Sequence, residues 1–438
     1  MKKIASITLV LTLLFSLISC GASYDRFSIA EASPKMNVKY TDYTQDGYAE
    51  FIDKIAVFSA RLTDKVADKY GEWDDNIVIS PLSIYMALAL AVECSAGDTR
   101  DEILATVGVT YEEVESFTSY LYAFCNQDFK YYNPMGSQKI LAFEELSNSF
   151  WADNGISLNE AGVKKLAENY NCDLFSVNFT NGEARRAISS YIKDKTHGLC
   201  DGDVDFDPET IITLINTFYL KEVWNNDGRD LPMTSDVYDF KCADGEIEKT
   251  KLLQGYYFGG KAYDGDGYTA FYTTTDHGFD IKFILPDEGK AVSDVFTAEN
   301  IYTVTALDDW GRIDHENRMI HSTRALFPEY EAEFDEDIKS VLRDMGIEKL
   351  FDVDRADLSG ITGEPAYCST VIHECSLEVT KKGIEGAAVT IMGLNGSAGP
   401  GVDEYEKVYH DFVVDRAFGF VITDSYGAVL FSGVINEI

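Results

Sequence analysis

The sequence predicts an α+β fold with largely antiparallel or mixed sheets, and three observations carry that expectation. Helix signals crowd the first half of the chain and strand signals the second, without the even alternation that a doubly wound parallel sheet needs. Apolar residues make up 45% and aromatics 13% of 438 residues, enough for a large core, and charged residues stand at an ordinary 25%. No segment repeats another. Length alone favours two domains over one.

The chain opens with "MKKIASITLVLTLLFSLISC", a Lys2-Lys3 head followed by an apolar run from Ile4 to Ile18. That run is short for a membrane span and reads as an export signal of bacterial type over residues 1–19. It closes on Leu17-Ile18-Ser19-Cys20, a lipobox pattern in which Cys20 would be lipidated after cleavage; a plain signal peptide is the alternative. Residues 20–47 are polar and lack helical periodicity, as a tether would.

The next signals are local and clear. Ile77 to Ile79 is a short strand, Ser80 can cap a helix with Pro81 in its first turn, and Ile84, Ala87, Leu88 and Ala91 recur at helical spacing. Gly97 ends that helix, and Thr99 with Glu102 has the spacing of a capping box for the next. "KILAFEELSNSFWADNG" is read as a strand, "LNEAGVKKLAENYN" and "NGEARRAISSYIKDKTHG" as helices, and "TIITLINTFYLKEVW" as a long apolar strand. Asn216, embedded in that strand, needs hydrogen-bond partners once buried. The middle third gives short strands with glycine turns, and Phe334 to Gly346 has an amphipathic helical pattern. "AFGFVITDSYGAVLFSGVI" is a hairpin turning at Ser425-Tyr426-Gly427.

Composition narrows the function. With 37 basic against 74 acidic residues and a net charge of -37, neither nucleic acid nor an anionic membrane surface is a fitting ligand. Beyond Cys20 the cysteines are Cys94, Cys125, Cys172, Cys200, Cys242, Cys368 and Cys375, scattered and without a C-x-x-C pair, so a zinc site is not expected. Buried free thiols are the expected state, with a disulfide or two as the alternative. The six histidines form no H-E-x-x-H helix, and there is no G-x-S-x-G elbow and no phosphate-binding loop of Walker type. No catalytic residue, cofactor or metal is assigned, and catalytic carboxylate pairs stay open because acidic residues are so abundant.

Several segments together resemble the serpin family. "NIVISPLSIYMALALAVECSAGDTRDEI" matches the family's opening motif at Asn76, Ser80, Pro81, Ser83, Ile84, Gly97, Thr99, Glu102 and Ile103. "LINTFYLKEVW" is similar to the family's Val-Asn-Ala-Ile-Tyr-Phe-Lys-Gly-x-Trp through Asn216, Tyr219, Lys221 and Trp224. "FILPDE", "VIHECSLEVTKKGIEGAA" and the terminal hairpin follow in the family's order. The resemblance covers residues 48–438 and implies one domain of three β-sheets and about nine helices with an exposed reactive-centre loop at about 383–411. It also implies a single-use trap: a protease cuts the loop, which then enters the central sheet as a new strand. A shutter of hydrogen-bonded groups at Asn76, Ser80, Ser83, Asn216 and His373, and a breach tryptophan at Trp224, are implied in the same way.

The segment "EVTKKGIEGAAVTIMGLNGSAGPG" suits such a loop because its residues are small enough to be exposed or buried in a sheet. Gly383, Ile384, Glu385, Gly386, Ala387 and Ala388 fall at the hinge, where the glycines let the backbone turn. Family spacing puts the scissile bond at Ser397-Ala398, within the range Asn395 to Gly399. Ile384 replaces the usual Thr or Ser and Gly386 the usual Ala, and the stretch from Gly399 to Arg416 is longer than usual. The implied partner is an extracellular protease with a small specificity pocket: elastase-like, subtilisin-like or papain-like. A monomer at the cell surface or outside the cell, touching membrane only through Cys20, completes the expectation. A non-inhibitory binding protein on the same fold is the alternative.

Overall fold

The computed structural model describes residues 24–30, 46–71, 75–126, 128–132, 138–200, 202, 206, 210–224, 230–386 and 405–438. The segment expected to be an export signal, Cys20, most of the expected tether and the expected loop residues Ala387, Ala388, Asn395, Ser397, Ala398 and Gly399 lie outside the described residues.

In chain order, a short strand β1 (Ser28–Ala30) precedes helix α1 (Tyr48–Tyr70), which buries Phe51, Ile55, Phe58, Leu62 and Val66 along one face. β2 (Ile77–Ile79) leads into α2 (Pro81–Cys94), capped by Ser80, whose hydroxyl accepts from the Ser83 N–H. α2 is buried almost all round because it packs between two sheets. α3 (Gly97–Val107) and α4 (Tyr111–Phe124) follow, then β3 (Asp128–Tyr132), β4 (Gln138–Asp153), α5 (Glu160–Asn169), β5 (Cys172–Val177), α6 (Glu183–Lys195) and β6 (Ile212–Val223).

The second half holds β7 (Tyr238–Lys241), β8 (Ile247–Thr250), β9 (Leu253–Gln254), β10 (Phe258–Gly259), β11 (Tyr263–Asp264), β12 (Tyr268–Thr274) and β13 (Asp280–Pro286). After α7 (Ala298–Thr305) come β14 (Ile313–Asp314), β15 (Met319–Phe327), β16 (Tyr330–Asp337), α8 (Lys339–Asp344), β17 (Ile372–Thr380) and β18 (Gly383–Gly386). β19 (Glu406–Val413), β20 (Phe418–Thr423) and β21 (Val429–Ile435) end the chain.

Three large sheets result. The central one has eight strands in the order β1-β5-β4-β6-β18-β17-β16, with β3 added on β4. A six-stranded sheet runs β11-β12-β13-β20-β21-β2, and a five-stranded one is built on β15 from β9, β10, β14 and β19. β7 and β8 form a separate ribbon. Eight α-helices surround the sheets among the described residues, against the nine or so expected. The main core lies under the central sheet; a smaller one, around Trp151, Phe175 and Tyr191, lies between its other face and α6.

Three local expectations are corrected. Phe334 lies in β16, opposite Cys375, not in a helix: Tyr330, Ala332 and Phe334 are buried while Glu331, Glu333 and Asp335 are exposed, a period of two that outlasts the helical pattern. Only Lys339–Asp344 is helical there. Gly97 begins α3 and does not end α2, which stops at Cys94, so Thr99 lies inside the first turn and caps nothing. Its hydroxyl accepts from the Asp357 N–H, and Glu102 binds Lys349 at 2.7 Å. The capping box falls instead at Thr110 and Glu113, with bonds of 3.2 and 2.7 Å, heading α4.

Candidate functional site

β17 ends in a tight turn at Lys381-Lys382 and doubles back as β18, pairing Glu378 with Glu385, Val379 with Ile384 and Thr380 with Gly383. The other edge of β18 pairs with β6, from Gly383 opposite Val223 to Gly386 opposite Leu220. The start of the expected loop is therefore already a strand between β6 and β17. The expectation of an exposed loop from residue 383 is corrected for these four residues, and so is the turn assigned to Gly386. At the other end the expected loop, read to residue 411, has become β19 from Glu406 onward, paired in parallel with β15.

Side-chain chemistry explains why β18 seats. A Cβ on Gly383 would come within 1.8 Å of the Glu222 carbonyl oxygen, so only glycine lets the chain enter between the strands. Ile384 is 1% exposed and packs in the main core, which suits a β-branched residue. Glu385 points to the opposite face, where its carboxylate accepts from the Tyr219 hydroxyl and the Lys221 ammonium, both at 2.7 Å. Burial pushes its carboxyl up, but Lys221 and Tyr219 outweigh that and hold it below the ordinary value.

Below Gly386 no strand stands between β6 and β17 among the described residues. Ile212–Tyr219 of β6 and Ile372–Leu377 of β17 face each other across a slot lined by Ser80, Ser83, Asn216, His373, Cys375 and Phe431. Its floor is a polar chain. The Ser80 N–H donates to His373 Nε2 at 3.0 Å, Ser80 Oγ accepts from the Ser83 N–H at 3.2 Å, and Ser83 Oγ donates to the Asn216 carbonyl at 3.5 Å. The Asn216 amide donates to Asn148 Oδ1 at 2.7 Å, and Asn148 donates to the Tyr170 carbonyl. Asn216 Oδ1 is buried with no partner. Burial pushes the His373 imidazole down to about 4, which keeps the Nε2 lone pair free to accept.

Of the residues expected in this cluster, Ser80, Ser83, Asn216 and His373 come together and Asn76 does not. Asn76 ties the end of β2 to the C-terminus, donating to the Glu331 and Glu437 carbonyls and accepting from the Asn436 and Glu437 N–H groups. Trp224 is fully buried at the top of the slot, its indole N–H donating to the Thr380 carbonyl at 2.7 Å, so it braces the strand leading to the hinge.

Sequence reasoning missed two participants, Asn148 and Glu222, and one pairing. Asn148 lies opposite Asn216 on β4, and an amide embedded in "EELSNSFW" is the same signal that singled out Asn216. Glu222 occupies the glycine position of the Lys-Gly-x-Trp motif; its buried carboxylate meets His277 Nδ1 at 2.8 Å and accepts from the Val223 N–H at 2.6 Å. Burial raises the Glu222 carboxyl and His277 works against that rise. Lys221 was matched to the motif, but its pairing with Glu385 follows only from register. All seven described cysteines are buried, and burial raises the thiols of Cys94, Cys172, Cys200, Cys242, Cys368 and Cys375, Cys200 beside the slot to about 12.

A family model described as serpin (serine protease inhibitor) matches residues 53–438. Human neuroserpin is 26% identical over 373 residues, covering 82% of this chain and 85% of that protein. Among solved structures, the thermophilic serpin tengpin in its native state superposes with a TM-score of 0.70 at 20% identity, over 95% of this chain and 99% of that one. Thyroxine-binding globulin in complex with thyroxine superposes at 0.68 and 21% identity, over 89% of this chain and 99% of that one. A family match running from α1 to the last residue, on a fold whose central sheet opens beside its own hinge, means that this chain belongs to the serpin family.

Proposed function

We propose that this chain is a single-use inhibitor of proteases outside a bacterial cell, held at the surface through a lipidated Cys20. The family's members are generally protease inhibitors and not catalysts. One observation carries the reading: a four-residue strand continuous in sequence with the expected bait loop is seated at the top of a slot whose lower edges have no strand between them among the described residues. Continuing its register downward puts Ala387 opposite Tyr219, Ala388 opposite Phe218 and Val389 opposite Thr217. Thr390 then falls between Asn216 and His373, where its hydroxyl can serve the unpartnered Asn216 Oδ1.

The trap follows from the register. A protease nucleophile attacks the Ser397 carbonyl, the peptide bond to Ala398 breaks, and the new amine leaves while the enzyme stays acylated to Ser397. About a dozen residues entering at about 3.3 Å each carry the enzyme on the order of 40 Å. If roughly ten ladder bonds form at about 1 kcal/mol net each, insertion yields on the order of 10 kcal/mol. That is comparable with the stability of a domain, enough to distort the enzyme before water frees it.

The test is incubation with subtilisin, pancreatic elastase or papain, followed by SDS electrophoresis and a melting scan of the nicked protein. A covalent complex and a large rise in Tm are expected. A second reading, a non-inhibitory binding protein, is favoured by Ile384 and Glu385 being seated before any cleavage, which leaves less to gain afterwards. The likeness to thyroxine-binding globulin adds a ligand carrier of the same fold. Clean cleavage with no complex and an unchanged Tm would select it.

A further inference from the structure

β19 is the strand that the C-terminal end of the bait loop enters, and among the described residues it is hydrogen-bonded on one side only, to β15. Tyr409 and Asp411 are exposed, Asp411 gripped by Arg324 at 2.6 Å and Tyr409 set against Tyr257. On the alternate positions Phe412 is buried and His410 is half-buried. His410 Nε2 lies 3.0 Å from Nδ1 of His321 on β15. His321 is 7% exposed, and its Nε2 is buried without a partner.

We propose that His321 and His410 form an acid-sensitive clasp that holds β19 against β15 at neutral pH and releases it on acidification. Two neutral rings satisfy the contact in one economical way: His321 Nδ1–H donates to the His410 Nε2 lone pair, leaving only a lone pair on the buried Nε2. Protonating His410 removes that acceptor. The bond can then re-form only if His321 moves its own proton to Nε2, where it becomes a buried donor with nothing to bind. A second added proton sets two cations 3.0 Å apart.

The surroundings do not rescue the charged pair. Lys261, just beyond β10, opposes protonation of His321, and Asp314 on β14 favours it; burial and His410 itself are the larger influences, and all four together lower His321. Arg312 lies alongside, its carbonyl accepting from the His321 N–H. On β19, Asp411 is already engaged by Arg324, while Glu406 and Lys407 are exposed at the strand's start. His315 meets Tyr405 at 3.0 Å just ahead of the strand, a separate contact.

The clasp stands whether or not the loop traps proteases, and amide hydrogen exchange tests it on the intact chain at pH 7.5 and 5.0, with labelling times scaled for intrinsic amide chemistry. Residues 406–413 should lose about tenfold or more of their protection at pH 5.0 while 418–423 keep theirs. In His410→Gln, whose amide oxygen accepts from His321 at either pH, β19 should stay protected throughout. Equal protection of wild-type β19 at both values overturns the proposal, as does an unchanged acid response in His410→Gln, which would assign the effect to His315. If that variant does not fold, histidine NMR of the wild type decides: one ring must resist protonation below pH 6, and two ordinary titrations near 6.5 overturn the clasp.

Discussion

Gly383 and Glu222 approach so closely that a single added methyl on the glycine would lie 1.8 Å from the Glu222 carbonyl oxygen. Entry of the hinge into the central sheet thus depends on the absence of one carbon atom. Gly383→Ala should expel β18: amides 383–386 lose hydrogen-exchange protection, and the yield of SDS-stable protease complex falls by about tenfold or more. An alanine variant with an intact β18 and normal trapping would refute this.

The clasp on Glu385 should be worth little. Lys221 is nearly half exposed, so Lys221→Ala is expected to cost about 1 kcal/mol or less in urea unfolding. Tyr219, buried on that face, should matter as much or more through Tyr219→Phe. A loss of several kcal/mol on removing Lys221 alone would mean that the ion pair, not Ile384, seats the hinge.

Acid should weaken the floor of the slot. His373 is held at about 4 against an ordinary 6.5, so the unfolded chain binds its proton first as pH falls. The stabilisation is complete above 6.5 and is lost progressively down to about 4, on the order of 3 kcal/mol in all. Asp280 and Asp424, raised to about 6 by burial, work in the opposite sense, since they favour folding at low pH. The measurement is therefore the difference between wild type and His373→Gln in urea unfolding at pH 7 and 4.5. The variant should be less stable at pH 7 and lose less on acidification.

In the inserted form proposed above, continuing the register of β18 would make Thr390 an inward position and Ala387 an outward one. Thr390→Arg should turn the protein into a substrate, cut at the same bond but with no complex and no gain in Tm, because an uncompensated cation cannot enter beside Asn216 and His373. Ala387→Ser should leave trapping within about twofold. Equal effects at both positions would mean that the register is wrong.

The fold was legible because several segments agreed in order, and the strongest local signals, Ser80 with Pro81 and the long strand holding Asn216, lie where they were placed. Phe334 reads as helical in the sequence because alternation and helical spacing share their first few positions, and only pairing with β17 separates them. A motif position alone groups Asn76 with the slot, whereas hydrogen bonding to Asn436 and Glu437, 360 and 361 residues away, ties it to the strand end beyond β21. In the sequence, Ile384 and Gly386 stand as departures within an expected exposed loop. Whether four residues are in or out of a sheet depends on a carbonyl contributed by β6, which no local pattern reports.

The position of β21 has a consequence for biogenesis. It lies between β20 and β2, joining Ile77 to Val434 and Ile79 to Ser432. The six-stranded sheet therefore cannot close before residues 429–435 have been made, and until then a nascent chain leaves the apolar strands β2 and β20 without their β21 partner.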